Sequence, residues 1–238
     1  MNTNKFYVED METIDPKRVG EEHIPVVLLL DTSGSMQGEG IRNLQASVNR
    51  FKDDIMSNPK AADIIDVCIM GFNGEPYVIQ NWRPVSEMNN VNLSATGGTN
   101  ITAALEGSIE KIRERLYEED NVSYRVPWII LISDGYGGDV TEIGKKMKHR
   151  TETKRSKLWF LGAPGYDKET AAKLTDGKRV FELKDEAGYD FTQFFDFMSK
   201  SLVVLSTSAP GTRVHVDDPT EEPGATMRKA NLDDWLND

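Results

Sequence analysis

The sequence holds one cysteine, Cys68, and three histidines among 238 residues. A single thiol excludes an intramolecular disulfide and a thiolate-rich zinc site. So few imidazoles argue against His-based metal or catalytic clusters. No Ser-His-Asp set is evident: His23 precedes the first apolar run, His149 lies in a basic helix end and His215 in a polar stretch. No apolar run approaches the about 18 residues that a membrane helix needs. The opening residues 1–5 have no apolar h-region, so no signal peptide is expected and the cytoplasm is the default compartment. Positive charge is also short, with 28 Lys+Arg against 39 Asp+Glu and a net charge of -11. That balance repels phosphate backbones and anionic headgroups, so neither nucleic acid nor a membrane is expected as a partner. There is no G-x-x-x-x-G-K-[ST] loop and no G-x-G-x-x-G after a strand. Internal repeats and heptads are likewise absent.

What is present suits one soluble domain with a substantial core, at 38% apolar and 28% charged residues. The acid excess is uneven. Residues 1–23 hold six acids against three bases, and residues 207–238 hold seven against three. The chain therefore divides into an N-terminal extension (1–23), a domain (24–205), and an acidic linker and C-terminal tail (206–238).

The run IPVVLLL at 24–30 has no period-two alternation, which is how a strand buried on both faces reads. A helix follows at about 40–57, stopped by Asn58-Pro59. A strand at 64–72, a hairpin turn at Asn73-Gly74 and a partner strand at 76–82 come next. Helices are expected at 101–117, 141–149, 168–175 and 190–205, and strands at 126–133, 157–162 and 179–183. Cys68 fits the interior of its strand. Alternating strands and helices imply an α/β fold: a doubly wound, mostly parallel sheet with one antiparallel edge strand and helices on both faces. In such sheets, ligands sit beyond the carboxyl ends of the strands.

Three polar loops fall at such ends. They are Asp31-Thr32-Ser33-Gly34-Ser35-Met36, Thr96-Gly97-Gly98-Thr99-Asn100 and Ser133-Asp134-Gly135-Tyr136-Gly137. Their side chains offer carboxylate and hydroxyl oxygens, which suit a hard cation such as Mg2+. Each loop alone has a plainer reading. Asp31 and Ser33 are suited to capping the helix that follows or to fixing a turn, Thr99 is suited to capping, and Asp134-Gly135 is an ordinary turn. Together, in this order, they are much harder to dismiss.

The set Asp31-Thr32-Ser33-Gly34-Ser35, Gly98-Thr99 and Ser133-Asp134-Gly135 resembles the von Willebrand factor A domain with its metal-ion-dependent adhesion site, over roughly residues 24–205. The runs at 25–39 and 97–99 are similar to bacterial TerY-like proteins of tellurium resistance. The resemblance implies a Rossmann-like fold and a Mg2+ or Mn2+ ion. Ser33, Ser35 and Thr99 would bind that ion through hydroxyls, and Asp31 and Asp134 mainly through water. It implies a non-enzymatic, metal-dependent protein-interaction module in bacterial stress response, with a partner that offers an Asp or Glu to the ion. That partner would be a kinase or phosphatase if the TerY-like likeness holds. Met36 and Tyr136 either flank the ion or cover the sheet edge.

The rival is a Mg2+-dependent phosphatase or phosphotransferase of the haloacid dehalogenase type. That chemistry needs a second acid two residues after the first, where this chain has Ser33. Two charged segments lie outside the site. The basic stretch 145–155 reads as a solvated helix end or as a surface for an acidic partner or for the chain's own tail. The tail 230–236, with Trp235, reads as a docking segment for a partner or as a frayed terminus. Asp233 or Asp234 is also a candidate carboxylate for the ion, on its own chain or a neighbour's.

Overall fold

The computed structural model describes residues 5–9, 22–118, 122–135, 137–209 and 212–236. Strand β1 (Lys5–Glu9) is followed by β2 (Glu22–Asp31), helices α1 (Glu39–Met56) and α2 (Pro59–Ile64), and the hairpin β3 (Ile65–Phe72) and β4 (Pro76–Pro84). Helix α3 (Ile101–Glu118), the short β5 (Ser123–Tyr124), β6 (Trp128–Ser133), α4 (Thr141–Glu152) and β7 (Lys157–Gly162) come next. Then come α5 (Lys168–Leu174), β8 (Val180–Leu183), α6 (Thr192–Thr207), β9 (Val214–Asp217), β10 (Met227–Lys229) and α7 (Asp233–Leu236).

The main sheet runs β10-β8-β7-β6-β2-β3-β4, and β5 pairs with the start of β2. Strands β8, β7, β6, β2 and β3 are parallel. The expected antiparallel edge strand is β4. Two-sided burial explains the unbroken apolar run of β2. Ile24, Val26, Leu28 and Leu30 enter a core with α1, α2 and α6, while Val27 and Leu29 enter a second core with α3, α4 and α5. All six are fully buried. Cys68, on β3, packs in the second core. Burial pushes its thiol up to about 12, so it is inert packing rather than a nucleophile.

The chain passes from β2 to β3 on one side and returns to β6 on the other. The crossovers therefore part between β2 and β6. A crevice opens beyond the carboxyl ends at such a switch point. Leu30 pairs with Ile132 there, so Asp31 and Asp134 extend from neighbouring strands.

Two readings are corrected. Asn58-Pro59 does not only end α1. The Asn58 side chain accepts the Ala61 N–H at 3.1 Å and Pro59 starts α2, so the pair closes one helix and opens the next. The stretch 206–238 is not a plain linker and free tail. Strand β9 pairs with β1, and β10 joins the main sheet antiparallel to β8. Arg228 stands opposite Glu182 and donates to its carboxylate at 2.6 Å. Gln193 Oε1 accepts the Thr226 and Met227 backbone N–H groups. Met227 and Leu232 are buried, at 0% and 2% exposure. Leu232 enters the second core and α7 packs on α5, so the tail is docked on its own body. Sparse apolar residues among Ser, Thr, Pro and Gly hid these contacts. Among the described residues, no helix is long and apolar enough to cross a membrane.

Replacing Met227 by Ala should lower unfolding stability by about 2–4 kcal/mol, the usual cost of such a cavity. Urea denaturation of the full chain measures it. A loss under about 0.5 kcal/mol would mean that β10 is only loosely attached.

Candidate functional site

The three polar loops meet at the carboxyl edge of β2 and β6. Asp31, the last residue of β2, is fully buried. Its Oδ1 accepts the Ser33 N–H at 2.9 Å and its Oδ2 accepts the Ser133 hydroxyl at 2.6 Å. Ser33 and Ser35 share a hydrogen bond at 3.0 Å, and Ser35 donates to Asp134 Oδ1 at 2.9 Å. Thr99 lies against the loop after β6: a methyl group built on Gly135 would stand 3.0 Å from its Oγ1. The structure thus brings Asp31, Ser33, Ser35, Thr99 and Asp134 into one cluster. Asp31, Ser33 and Asp134 are buried, Thr99 is half-buried and Ser35 is exposed.

Backbone bonds fix the loops on one another. Gly34 donates its N–H to Gly97 O at 2.9 Å, and Thr96 donates to Thr32 O at 2.8 Å. Gly97 has φ 79°, a conformation costly for other residues, and this turns its carbonyl toward Gly34. Asn100 donates its N–H to Asn73 O at 2.7 Å, which ties the Thr99 loop to the β3–β4 turn.

Helix capping does not account for these side chains, although Asp31 does fix the turn that follows it by accepting the Ser33 N–H. The residue capping α1 is Gly38, with no side-chain bond, and Ser33 makes no cap bond to the short turn Gly34–Met36. At α3 it is Asn100 Oδ1 that accepts the Ala103 N–H, at 3.0 Å. The helices start without the hydroxyls of Ser33, Ser35 and Thr99, which leaves them available to a ligand.

Electrostatics sharpen the arrangement. Among the described residues, no Lys, Arg or His forms an ion pair with Asp31 or Asp134. Burial raises the pKa of Asp31, against the lowering effect of its bonds from Ser133 and Ser33. Burial also raises that of Asp134, and the negative charge of Asp31 adds to the rise. Two buried acids with no counter-charge, beside hydroxyl oxygens, form an oxygen-donor cluster suited to a cation. The donor set fits a hard ion, which prefers oxygen and keeps waters. Among the described residues, no group of three His, Cys, Asp or Glu is assembled, so the hydroxyls are essential to any such site.

Three further residues belong to the cluster. Ser133 orients Asp31 and accepts the Gly135 N–H at 3.2 Å. Thr32 donates to Phe72 O at 2.9 Å and accepts from the Tyr77 hydroxyl at 3.0 Å. Ser133 and Thr32 lie inside the sequence motifs. Tyr77 gave one faint signal: it pairs with Gly71 across the hairpin, and only glycine leaves room for its ring, since a Cβ there would meet Tyr77 Cζ at 2.5 Å. Met36 is fully buried and packs in the core instead of flanking the loops. Tyr136 lies outside the described residues.

Solved structures share this fold at low identity. The pilus adhesin SpaC from Lactobacillus rhamnosus GG aligns with TM-score 0.63 at 10% identity, over 85% of this chain and 34% of that one. A von Willebrand factor type A structure from Catenulispora acidiphila aligns with TM-score 0.57 at 14% identity, over 77% of this chain and 43% of that one. The von Willebrand factor domain of the type V pili tip protein Mfa5 from Porphyromonas gingivalis aligns with TM-score 0.57 at 11% identity, over 82% of this chain and 99% of that one. The chain has the von Willebrand factor A fold, and it spans less than half the length of two of these three structures. No protein-family model and no curated protein matches it.

The raised pKa of Asp31 makes its charge a burden on the metal-free fold. A carboxyl that holds its proton more tightly when folded adds stability below its ordinary 3.8 and loses it as pH rises through the folded value. In chelator, Asp31→Asn should therefore gain stability relative to wild type as pH rises from 3.8 to that value, and keep the gain unchanged above it. Thermal unfolding across about pH 4 to pH 8 measures this. A difference that does not change with pH would remove Asp31 as the buried charge.

Proposed function

We propose that the chain is a metal-dependent protein-interaction module. The observation that carries the reading is the buried Asp31–Asp134 pair, which shares one hydroxyl-lined crevice and meets no basic side chain among the described residues. Ser33, Ser35 and Thr99 would hold Mg2+ or Mn2+ directly, and Asp31 and Asp134 would act mainly through water. The bound ion supplies a strong attraction for a carboxylate, because neutral hydroxyl ligands leave it most of its charge. The partner therefore presents an Asp or Glu. The adhesin and pilus-tip proteins of the same fold make protein recognition a natural use for it. On the likeness to TerY-like proteins, the setting is a bacterial stress or tellurite response in the cytoplasm, with a kinase or phosphatase as the partner.

The reading is of a binder, not an enzyme. The residues best suited to proton transfer or nucleophilic attack stand away from the crevice. Cys68 is sealed in the core, and His23 bonds Asp66 at the opposite edge of the sheet. His149 ends α4 and His215 lies on β9. The second carboxylate that a phosphotransferase would place two residues after Asp31 is the hydroxyl of Ser33.

Calorimetric titration with Mg2+ or Mn2+ should give saturable binding to wild type and none to Asp31→Ala or Ser33→Ala. Ser133→Ala should weaken it about tenfold, the usual effect of losing a group that orients a ligand. Wild type and variants behaving alike would dispose of the metal site. A captured partner should leave on chelation, and one retained in chelator would move recognition to another surface.

A further inference from the structure

The sheet separates charge between its two edges. At the carboxyl edge, around the crevice, Glu39, Glu75, Asp139, Asp185 and Glu186 are exposed. Of the nearest basic residues, Lys168 is held on Glu182, Lys184 is half-buried and Arg42, in the first turn of α1, is exposed, so acids outnumber bases there. The amino edge is different. Helix α4 returns there and ends just before β7 begins. The half-buried Lys148 and the exposed Lys154 and Arg155 form no ion pair among the described residues, Lys178 beside β8 is largely exposed and pairs with Asp176, and Glu152 and Asp176 are the exposed acids among them. Burial and the neighbouring charge of Arg155 both lower the pKa of Arg150. Like charges crowd this end of a chain that is acidic overall.

The tail comes down at that same amino edge. Strand β10 runs antiparallel to β8, and Ala230 donates its N–H to Val180 O as the chain leaves the sheet. Leu236 then lies so close to Gly177 that a Cβ there would stand 2.8 Å from its Cδ1. Asp234, Trp235 and Leu236 are exposed beside Lys178. The tail therefore stands at the edge opposite the crevice and cannot supply a carboxylate to its own crevice.

It can supply one to a second copy, and we infer that it does. On the reading of the crevice as a cation site, Asp234 of one copy engages the crevice of the next. The basic amino edge of the first copy then faces the acidic carboxyl edge of the second. The exposed Trp235 and Leu236 add an apolar contact beside the carboxylate. Donor and acceptor surfaces lie on opposite edges of the molecule, so the contact is head-to-tail and repeats without closing into a symmetric pair. Charge complementarity between the edges makes it sensitive to salt, and the ion makes it sensitive to chelation.

Sedimentation velocity on the full chain tests this. Wild type in Mg2+ at low salt should form species that grow with concentration and return to monomer in chelator or high salt. Asp234→Asn and the double variant Lys148→Glu/Arg155→Glu should each weaken association at least tenfold. Ser33→Ala, which loses the crevice, should be monomeric alone. Mixed with Asp234→Asn, it should give a one-to-one dimer that grows no further, because only one competent head and one competent tail remain. A wild-type monomer that still binds Mg2+ by calorimetry overturns the self-association and leaves the cation site standing. A chain that neither binds Mg2+ nor associates overturns both. Association that survives chelation and Asp234→Asn overturns the role given to the tail carboxylate.

Discussion

Two carboxylates buried at the ends of adjacent parallel strands, beside hydroxyls and paired with no basic side chain among the described residues, are the constraint on which the carboxyl edge is built. Asp31 and Asp134 are brought together by the pairing of β2 with β6. That pairing exists because both strands are apolar on both faces and sit in the middle of the sheet. Hydrogen bonds from the Ser33 backbone and the Ser133 and Ser35 side chains offset part of the cost of burying the charges. The bonds do not cancel it, since both acids still hold their protons more tightly than free aspartate does. A fold that keeps such a pair gives up stability at that place, which is the usual pattern where binding is the reason, as proposed above.

The same edge shows how helix starts are relieved of their usual polar residues. Helix α1 begins after Gly38, and α3 is capped by Asn100. The hydroxyls of Ser33, Ser35 and Thr99 take no part in either start. The backbone ties Gly34–Gly97, Thr96–Thr32 and Asn100–Asn73 then hold the loops by main-chain bonds. The side chains are spared that duty and keep their oxygens for one another and for a ligand.

Much of this is legible in the sequence. Unbroken apolar runs read as strands buried on both faces, and the polar loops fell where those runs stopped. The helices α1, α3, α5 and α6 lie within two residues of their expected bounds at either end. What was not legible depended on pairing between distant segments. Strand β10 is three residues long and is held by Arg228 on Glu182 and by Gln193, partners more than thirty residues away. No local periodicity carries that information. Helix α2 was missed because Asn58-Pro59 both ends and begins a helix. Tyr77 was missed because its bond to Thr32 depends on the register of the hairpin. The cluster of five site residues was legible as a set. The cap assignments that set its hydroxyls free were not.

Gly71 carries one consequence of this arrangement. It has no side chain and lies on β3, a strand that supplies no carboxylate or hydroxyl to the crevice. Yet the Tyr77 ring lies over it, and the Tyr77 hydroxyl reaches the Thr32 side chain behind the first loop. A larger residue there must displace the ring, which removes one of the bonds behind the loop and leaves those from Thr32 to Phe72 O. The genetic footprint of the crevice is thus wider than its chemistry. On the binding role proposed above, a mutational scan would find that a silent-looking glycine one strand away matters as well as the oxygen-bearing residues.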